Sequence, residues 1–139
     1  MRIISGKYRG RKLKSPPSLR TRPTSDRLRE TLFNVLAPRI KGARLLDLCA
    51  GSGAVGVEAL SRGAAHVTFV DRSRKMYALI KTNLALLDVH EDEGELINRE
   101  AADVLKRLAR DTTEQEQPQQ FDIIFFDPPY ATEYDAVLG

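Results

Sequence analysis

This sequence is poor in the residues that build disulfide frameworks, metal centres and membrane spans. It holds a single cysteine, Cys49, two histidines and no tryptophan among 139 residues. One cysteine excludes an internal disulfide framework and suits a reducing compartment, and so few ligating side chains predict no metal site. No apolar run approaches the ~20 residues of a membrane-spanning helix, and the N-terminus lacks the apolar core of a signal peptide. We therefore expect one monomeric, cytoplasmic protein with no membrane partner.

Acidic residues are scarce in the first 44 positions. This stretch holds thirteen Lys and Arg residues and only two acids, whereas residues 45–139 hold nine Lys and Arg residues and seventeen acids. A basic segment joined to an acidic body is typical of nucleic-acid binding, although a solvated basic tail has the same composition. We predict that residues 1–22 form a nucleic-acid-binding hairpin or arm ahead of a body at residues 23–139. The candidate contacts are Arg9, Arg11, Lys12, Arg20, Arg22, Thr24 and Arg27.

Turn formers and prolines divide the first forty residues. Residues 2–14 are predicted to form a hairpin, and residues 15–18 a stiff linker. A helix capped by Thr24 or Ser25 should follow and should stop at Pro38. Its predicted apolar stripe comprises Leu28, Leu32, Val35 and Leu36.

Strands and helices are then predicted to alternate. The strands are predicted at residues 44–49, 66–71, 95–98 and 121–126, the last of them fully buried. The helices are predicted at residues 54–62, after a cap at Ser73, and at residues 101–110. This alternation is typical of parallel strands joined by right-handed crossovers. We predict a Rossmann-like α/β fold with a doubly wound, mainly parallel sheet.

A glycine-rich motif lies between the first predicted strand and helix of this alternation. Gly51, Gly53 and Gly56 have the G-x-G-x-x-G spacing, and Asp71 follows 20 residues after Gly51 at the end of the next strand. That context predicts a nucleoside-cofactor site with Asp71 on the ribose, although a tight turn alone is possible. Asp47 lies just before the glycines, where a carboxylate would disfavour a pyrophosphate and suit a cationic ligand. S-adenosylmethionine, with its ammonium and sulfonium groups, fits better than NAD.

A second motif, Asp127-Pro128-Pro129-Tyr130, follows the last predicted strand. Two prolines lack N–H groups and fix φ, so the strand must end and the turn must be stiff. The turn offers a carboxylate, a carbonyl and an aromatic ring at the carboxyl end of a strand, where ligands bind in open α/β sheets. This set of groups suits an aromatic amine such as a nucleobase amino group. A methyl donor beside such a clamp indicates a methyltransferase.

Several segments together closely resemble the bacterial RsmD family, class I S-adenosylmethionine-dependent methyltransferases that act on a guanine N2 of 16S ribosomal RNA. The segments that carry the resemblance are residues 2–6, 9–13, 22–34, 47–56, 58–64 and 127–130. The resemblance implies a substrate of 16S ribosomal RNA, in a small-subunit assembly particle, and S-adenosylmethionine as cofactor. It makes the body a methyltransferase domain and the basic arm an RNA-binding one.

The resemblance also implies roles for individual residues. Asp127, Pro128 and Tyr130 would be catalytic, since the carboxylate and the Pro128 carbonyl would accept the amino hydrogens while the ring stacks on the base. The implied cofactor-binding residues are Asp47, Cys49, Ala50, Gly51, Ser52, Gly53, Gly56, Asp71, Arg72, Glu100 and Ala101. Glu100 would lie beside the adenine. The guanine must be unpaired or extruded to enter the site.

Other interpretations of the motifs remain open at this point. A DNA adenine-N6 methyltransferase would also use Asp-Pro-Pro-Tyr, but the basic arm and residues 22–34 favour ribosomal RNA. A non-catalytic module that binds cofactor or RNA is a second alternative, and an NAD oxidoreductase a third. Further strands follow the motif in the family, whereas this sequence ends nine residues after Tyr130. We therefore expect a truncated chain with weak cofactor binding and little or no turnover.

Overall fold

The structure, a computed structural model, describes residues 1–15, 26–114 and 120–126, without the side chains of residues 111–114. Its elements are α1 (Asp26–Ile40), β1 (Arg44–Asp47), α2 (Ala54–Ser61), β2 (His66–Val70), α3 (Arg74–Leu86), β3 (Gly94–Ile97), α4 (Ala101–Glu114) and β4 (Ile123–Phe125). No helix in these ranges has the length and apolarity that crossing a membrane requires. The predicted alternation of strands and helices is confirmed.

The four strands form one parallel sheet in the order β3-β2-β1-β4. The chain moves from β1 to β2 to β3 in one direction and then returns to place β4 on the other side of β1. The strand order therefore reverses between β1 and β4, which is where a doubly wound sheet opens a crevice at its carboxyl ends.

Helices cover both faces of the sheet. On one face Leu45, Val67 and Phe69 pack with residues of α1, α2 and α3, including Phe33 and Ile80. On the other face Leu46, Leu48 and Val70 pack with Ala101 and Val104 of α4. Successive residues of a strand point to opposite faces, so the apolar runs of β1 and β2 fill both layers. The predicted doubly wound fold is confirmed.

The N-terminal segment, residues 1–15, is packed against the body. Arg2 and Lys12 form an antiparallel bridge, as a hairpin requires. Ile3 and Leu13 are buried in the same cluster as α1 and α2. The charge asymmetry indicated an arm joined to a separate body, but the apolar side chains of this segment need a surface to cover them. Ile3 and Leu13 therefore belong to the core of the protein, while most of the other residues of the segment lie at its surface.

For helix α1, the predicted end is wrong and the predicted apolar stripe is confirmed only in part. Helix α1 continues through Pro38 to Ile40. Its buried residues are Arg29, Phe33 and Ile40. Leu32 and Leu36 of the predicted stripe are half-buried and pack against the core. Leu28 and Val35 of the stripe are 56% and 74% exposed. The arginine is buried because ion pairs hold it there, so the contact face of α1 includes only part of the apolar stripe. The predicted caps Thr24 and Ser25 lie outside the described residues.

The fourth strand also differs from its prediction. Strand β4 spans only Ile123–Phe125, and it lies at the edge of the sheet that the described residues form. Ile124 is 54% exposed. The strand is therefore not fully buried as its apolar run predicted.

Candidate functional site

The carboxyl ends of the strands bring the predicted cofactor residues to one edge of the sheet. Asp47 ends β1, and its side chain is only 1% exposed. Asp71 directly follows β2, and its N–H donates to the Ile97 carbonyl at the end of β3 (3.1 Å). The glycine-rich loop therefore lies between two acids that come from neighbouring parallel strands.

The glycine loop, residues 50–53, adopts a backbone that favours glycine. Gly51 has φ of 57° and Gly53 has φ of 84°, both in the left-handed region. The loop is closed by a hydrogen bond from Gly53 N to the Ala50 carbonyl (2.8 Å) and tied to β2 by one from Ala50 N to the Val70 carbonyl (2.9 Å). A Cβ added to Gly51 would meet no atom within 4 Å, so space is open over this part of the loop.

The third glycine, Gly56, allows α2 to pack closely against β2. A Cβ on Gly56 would lie 2.2 Å from Cε1 of Phe69 and 2.8 Å from Cγ1 of Val67. Helix α2 can therefore approach β2 this closely only if residue 56 has no side chain. This contact fixes the first turn of α2 and, with it, the end of the glycine loop.

The Asp71 carboxylate holds the loop and the next helix together. Its Oδ2 accepts a hydrogen bond from Gly51 N (2.9 Å), and its Oδ1 accepts one from Ser73 N (2.9 Å). The Ser73 side chain in turn accepts from Met76 N, which confirms it as the cap of α3. Each carboxylate oxygen has a second lone pair. The half-buried carboxylate can therefore still accept hydrogen bonds from ligand hydroxyls.

The other predicted cofactor residues follow the carboxyl ends of β1, β2 and β3. Ser52 and Ala50 are buried, and Cys49 is half-buried. Arg72 and Glu100 are exposed, and Ala101 is buried at the start of α4. Glu100 directly precedes α4, and its carbonyl accepts from Val104 N (3.2 Å). Glu100 follows the end of β3, on the same edge of the sheet as Asp71.

The predicted catalytic residues Asp127, Pro128 and Tyr130 lie outside the described residues. The strand that leads to them is described. Phe125 of β4 is the register partner of Asp47, and Leu48 N donates to the Phe125 carbonyl (3.0 Å). Asp127 thus follows two residues after a position paired with Asp47 of the candidate cofactor site.

Four of the predicted RNA-binding residues are described, and all four are exposed: Arg9, Arg11, Lys12 and Arg27. Arg11 has a local partner, because its Nη2 donates to the Leu86 carbonyl at the end of α3 (2.7 Å). A cation at the carboxyl end of a helix also interacts favourably with the helix dipole. Arg20, Arg22 and Thr24 lie outside the described ranges.

Two buried polar residues were missed by the sequence analysis. The Glu58 carboxylate, fully buried, accepts from Ile4 N (2.8 Å), Ser5 N (3.0 Å) and Arg62 Nε (2.9 Å). Asn83, also fully buried, binds the glycine loop and the N-terminal segment. Each is a polar residue on an otherwise apolar helix face. That pattern could have identified them as buried, but not their partners.

The donor set at this edge fits S-adenosylmethionine. The Asp71 carboxylate has lone pairs left for ribose hydroxyls, while Asp47 ends β1 and Glu100 follows the carboxyl end of β3. The space over Gly51 leaves room for a ligand against the loop. Acidic side chains around such a loop suit a cationic ligand better than a pyrophosphate. Among the described residues, no group of His, Cys, Asp and Glu side chains is arranged to hold a metal ion.

Comparisons with known proteins agree with this architecture. The family model described as conserved hypothetical protein 95 matches residues 1–138. Ribosomal RNA small subunit methyltransferase D of Haemophilus influenzae is 45% identical over 130 residues, covering 94% of this chain and 64% of that protein. The protein of the same name from Escherichia coli is also 45% identical over 130 residues, with 60% of its length covered. The chain thus spans less than two thirds of these relatives.

Solved structures share the same fold. The Escherichia coli protein yhhF superposes with a TM-score of 0.77 at 42% identity, covering 95% of this chain and 65% of that one. A SAM-dependent methyltransferase from Agrobacterium tumefaciens superposes with a TM-score of 0.57 at 27% identity, covering 72% of this chain and 30% of that one. The fold is therefore that of the class I methyltransferases.

Proposed function

This chain belongs to the conserved hypothetical protein 95 family, which is the RsmD family that its motifs resemble. From that premise we propose that it transfers a methyl group from S-adenosylmethionine to the exocyclic N2 of a guanine in 16S ribosomal RNA. The substrate in the cell is RNA within a small-subunit assembly particle. The names of the relatives support ribosomal RNA as the substrate class.

One observation carries the proposal. Strand β4 pairs with β1 so that Phe125 lies opposite Asp47, and the Asp127 motif begins two residues later. The strand order reverses between these two strands, and ligands of open α/β sheets bind at such a reversal. A cofactor site on the β1 and β2 side and an amine-binding motif after β4 would therefore face one crevice. This is the arrangement that a transfer between two bound molecules needs.

The cofactor residues would act by binding and orientation. Asp71 would accept hydrogen bonds from the ribose hydroxyls while it keeps the Gly51 and Ser73 N–H groups. Asp47 would attract the amino-acid end of the ligand, and Glu100 would border the adenine. S-adenosylmethionine, when bound, supplies a methyl group that is already activated on a sulfonium.

The residues after β4 would act on the nucleophile. The lone pair of the guanine amino group is delocalised into the ring, so the nitrogen attacks poorly. The Asp127 carboxylate and the Pro128 carbonyl would accept hydrogen bonds from its two N–H groups and favour a pyramidal nitrogen with its lone pair directed at the methyl. The nitrogen would lose one of these protons as it gains the methyl group. Tyr130 would stack on the base. Positioning can supply effective molarities of ~10⁵ M or more, so it provides most of the expected acceleration.

The test is methyl transfer with enzyme in excess over substrate, so that a slow single turnover is detected. Labelled S-adenosylmethionine should place label in N2-methylguanine of 16S ribosomal RNA, offered naked and in small-subunit particles. Asp127→Ala should abolish the label and leave cofactor affinity unchanged in calorimetry. Label in adenine of a DNA substrate, with none in guanine of the ribosomal RNA, would contradict the proposal.

Calorimetry tests the cofactor separately. S-adenosylmethionine should bind and NAD should not. Asp71→Ala should weaken the affinity by about 1–3 kcal/mol, the usual loss when buried hydrogen-bonding groups have no partner. Asp92→Ala, at an exposed acid on the loop before β3, is the control. Equal affinities for S-adenosylmethionine in the two variants would show that Asp71 does not bind the ribose.

A further inference from the structure

One buried side chain binds both the glycine loop and the N-terminal segment. Asn83 of α3 donates from Nδ2 to the Ser52 carbonyl (3.1 Å) and to the Lys14 carbonyl (3.1 Å). Its Oδ1 accepts from Lys14 N (2.8 Å). The side chain is fully buried, and both of its donor hydrogens and its acceptor oxygen are used. Residues 14 and 52 therefore share one partner.

The bond to Ser52 determines the orientation of a peptide group in the candidate cofactor site. The Ser52 carbonyl and the Gly53 N–H belong to one planar peptide unit. The Gly53 N–H donates to the Ala50 carbonyl (2.8 Å) and so closes the loop. When Asn83 holds the Ser52 oxygen, it also holds the group that closes the loop.

The bonds to Lys14 fix one end of the basic N-terminal segment. The other end is fixed elsewhere, where the Glu58 carboxylate binds the N–H groups of Ile4 and Ser5. A contact from Ser52 Oγ to Met1 Sδ (3.7 Å) adds a second link between the loop and the segment. The Asn83 side chain therefore links the segment directly to the glycine loop.

We propose that Asn83 is a positioning residue that couples the N-terminal segment to the cofactor loop, so that RNA binding on the segment strengthens cofactor binding. The second part rests on the proposed function, whereas the mechanical link does not. A ligand that orders the segment reduces the conformational entropy that is lost when a second ligand orders the loop. Such coupling is reciprocal, so the cofactor also strengthens RNA binding.

A matched pair at Lys14 tests the link without RNA or cofactor. Lys14→Pro removes the N–H that donates to Asn83 Oδ1, and Lys14→Ala removes the same cation but keeps that N–H. The amides of Gly51 and Gly53 are both hydrogen-bonded, so their hydrogen exchange reports opening of the loop. We expect Lys14→Pro to exchange about 3- to 10-fold faster than Lys14→Ala at these amides, as for one lost hydrogen bond. Equal rates would overturn the link.

A second comparison covers the case in which proline disturbs the whole fold. Faster exchange at the sheet amide of Leu48, which donates to Phe125, would reveal such a disturbance. Asn83→Ala is then compared with Thr82→Ala, a neighbour whose hydroxyl bonds only the Ala78 carbonyl of its own helix (3.0 Å). Loop exchange should rise in the first variant and not in the second, and the opposite result would overturn the link.

Calorimetry with RNA tests the coupling itself. Saturating 16S ribosomal RNA should raise the affinity of Lys14→Ala for S-adenosylmethionine about fivefold, at the low end of typical coupling. The same RNA should have no effect on Lys14→Pro. An equal gain in both variants would overturn the role of Asn83, whereas failure of either ligand to bind would refute the proposed function and leave the exchange result standing.

Discussion

The two ends of helix α2 hold their neighbours in different ways. At its first turn the glycine loop is fixed by backbone hydrogen bonds and by a contact that only glycine allows at position 56. At its last turn Glu58 and Ser61 bind the N-terminal segment through side chains, and Ser61 Oγ donates to the Ser5 carbonyl (2.6 Å). The first end depends on backbone geometry and the second on buried charge.

This difference indicates where mutations will act. A site made of backbone groups loses its shape when a side chain is added. Removing a buried carboxylate that has two arginines nearby lowers the free energy of unfolding of the protein, because the arginines keep their charge. Arg29 is fully buried 3.8 Å from Glu58, and Arg62 lies 2.9 Å from it.

The largest effect should come from breaking the charged end. Glu58→Ala removes the anion beside the buried Arg29 and leaves the Ile4 and Ser5 N–H groups without their acceptor. We expect the free energy of unfolding, measured by urea denaturation, to fall by about 3–5 kcal/mol. Glu30→Ala, at an exposed acid of α1, should leave it almost unchanged. Similar losses in both variants would show that the buried Glu58 carboxylate stabilises the protein no more than an exposed acid does.

The glycine end should respond to added volume. Gly56→Ala places a methyl group against the Phe69 ring, and overpacking of this kind lowers stability by about 1–3 kcal/mol. Phe69→Leu in the same chain should recover part of the loss, since the two residues then no longer clash. A double-mutant cycle by urea denaturation measures this interaction. Strict additivity of the two losses would contradict the proposed contact.

The cations of the N-terminal segment should separate into two classes. Arg9→Ala and Lys12→Ala should each reduce the slope of log affinity for RNA against log salt by about 1, as expected for the loss of one phosphate contact. Arg11→Ala should in addition lower the free energy of unfolding, because its side chain binds the Leu86 carbonyl. A salt-insensitive affinity of the unmodified chain would contradict the RNA-binding role of the segment.

The smallest effect should come from His66, which begins β2 at the amino ends of the strands, opposite the candidate site. Burial lowers the pKa of His66, and nearby Arg44 lowers it further while Glu95 opposes the shift. Below about pH 6.5 the unfolded chain therefore binds more protons at this residue, and the free energy of unfolding should decline as the pH falls. His66→Gln should reduce this decline, whereas His90→Gln, at an exposed histidine, should retain it. An unchanged profile in His66→Gln would contradict the role of burial.

The sequence alone determined the architecture of this protein and the position of its glycine loop. Both depend on local patterns, namely the alternation of strands and helices and the spacing of Gly51, Gly53 and Asp71 along the chain. Parallel strands bring their carboxyl ends to one edge whatever the details of packing. The place of the glycine loop, at the carboxyl end of β1, therefore followed from the order of elements.

Only the tertiary structure decided what holds the N-terminal segment and which face of α1 is buried. Glu58 and Asn83 bind residues that are 53 to 69 positions away in the chain. No local pattern encodes such pairs. The basic composition of the first 44 residues indicates exposed cations, yet Arg29 is buried. Arg29 lies in the core because Glu58, from another helix, compensates its charge there. A buried charge is tolerated only where the fold supplies its partner.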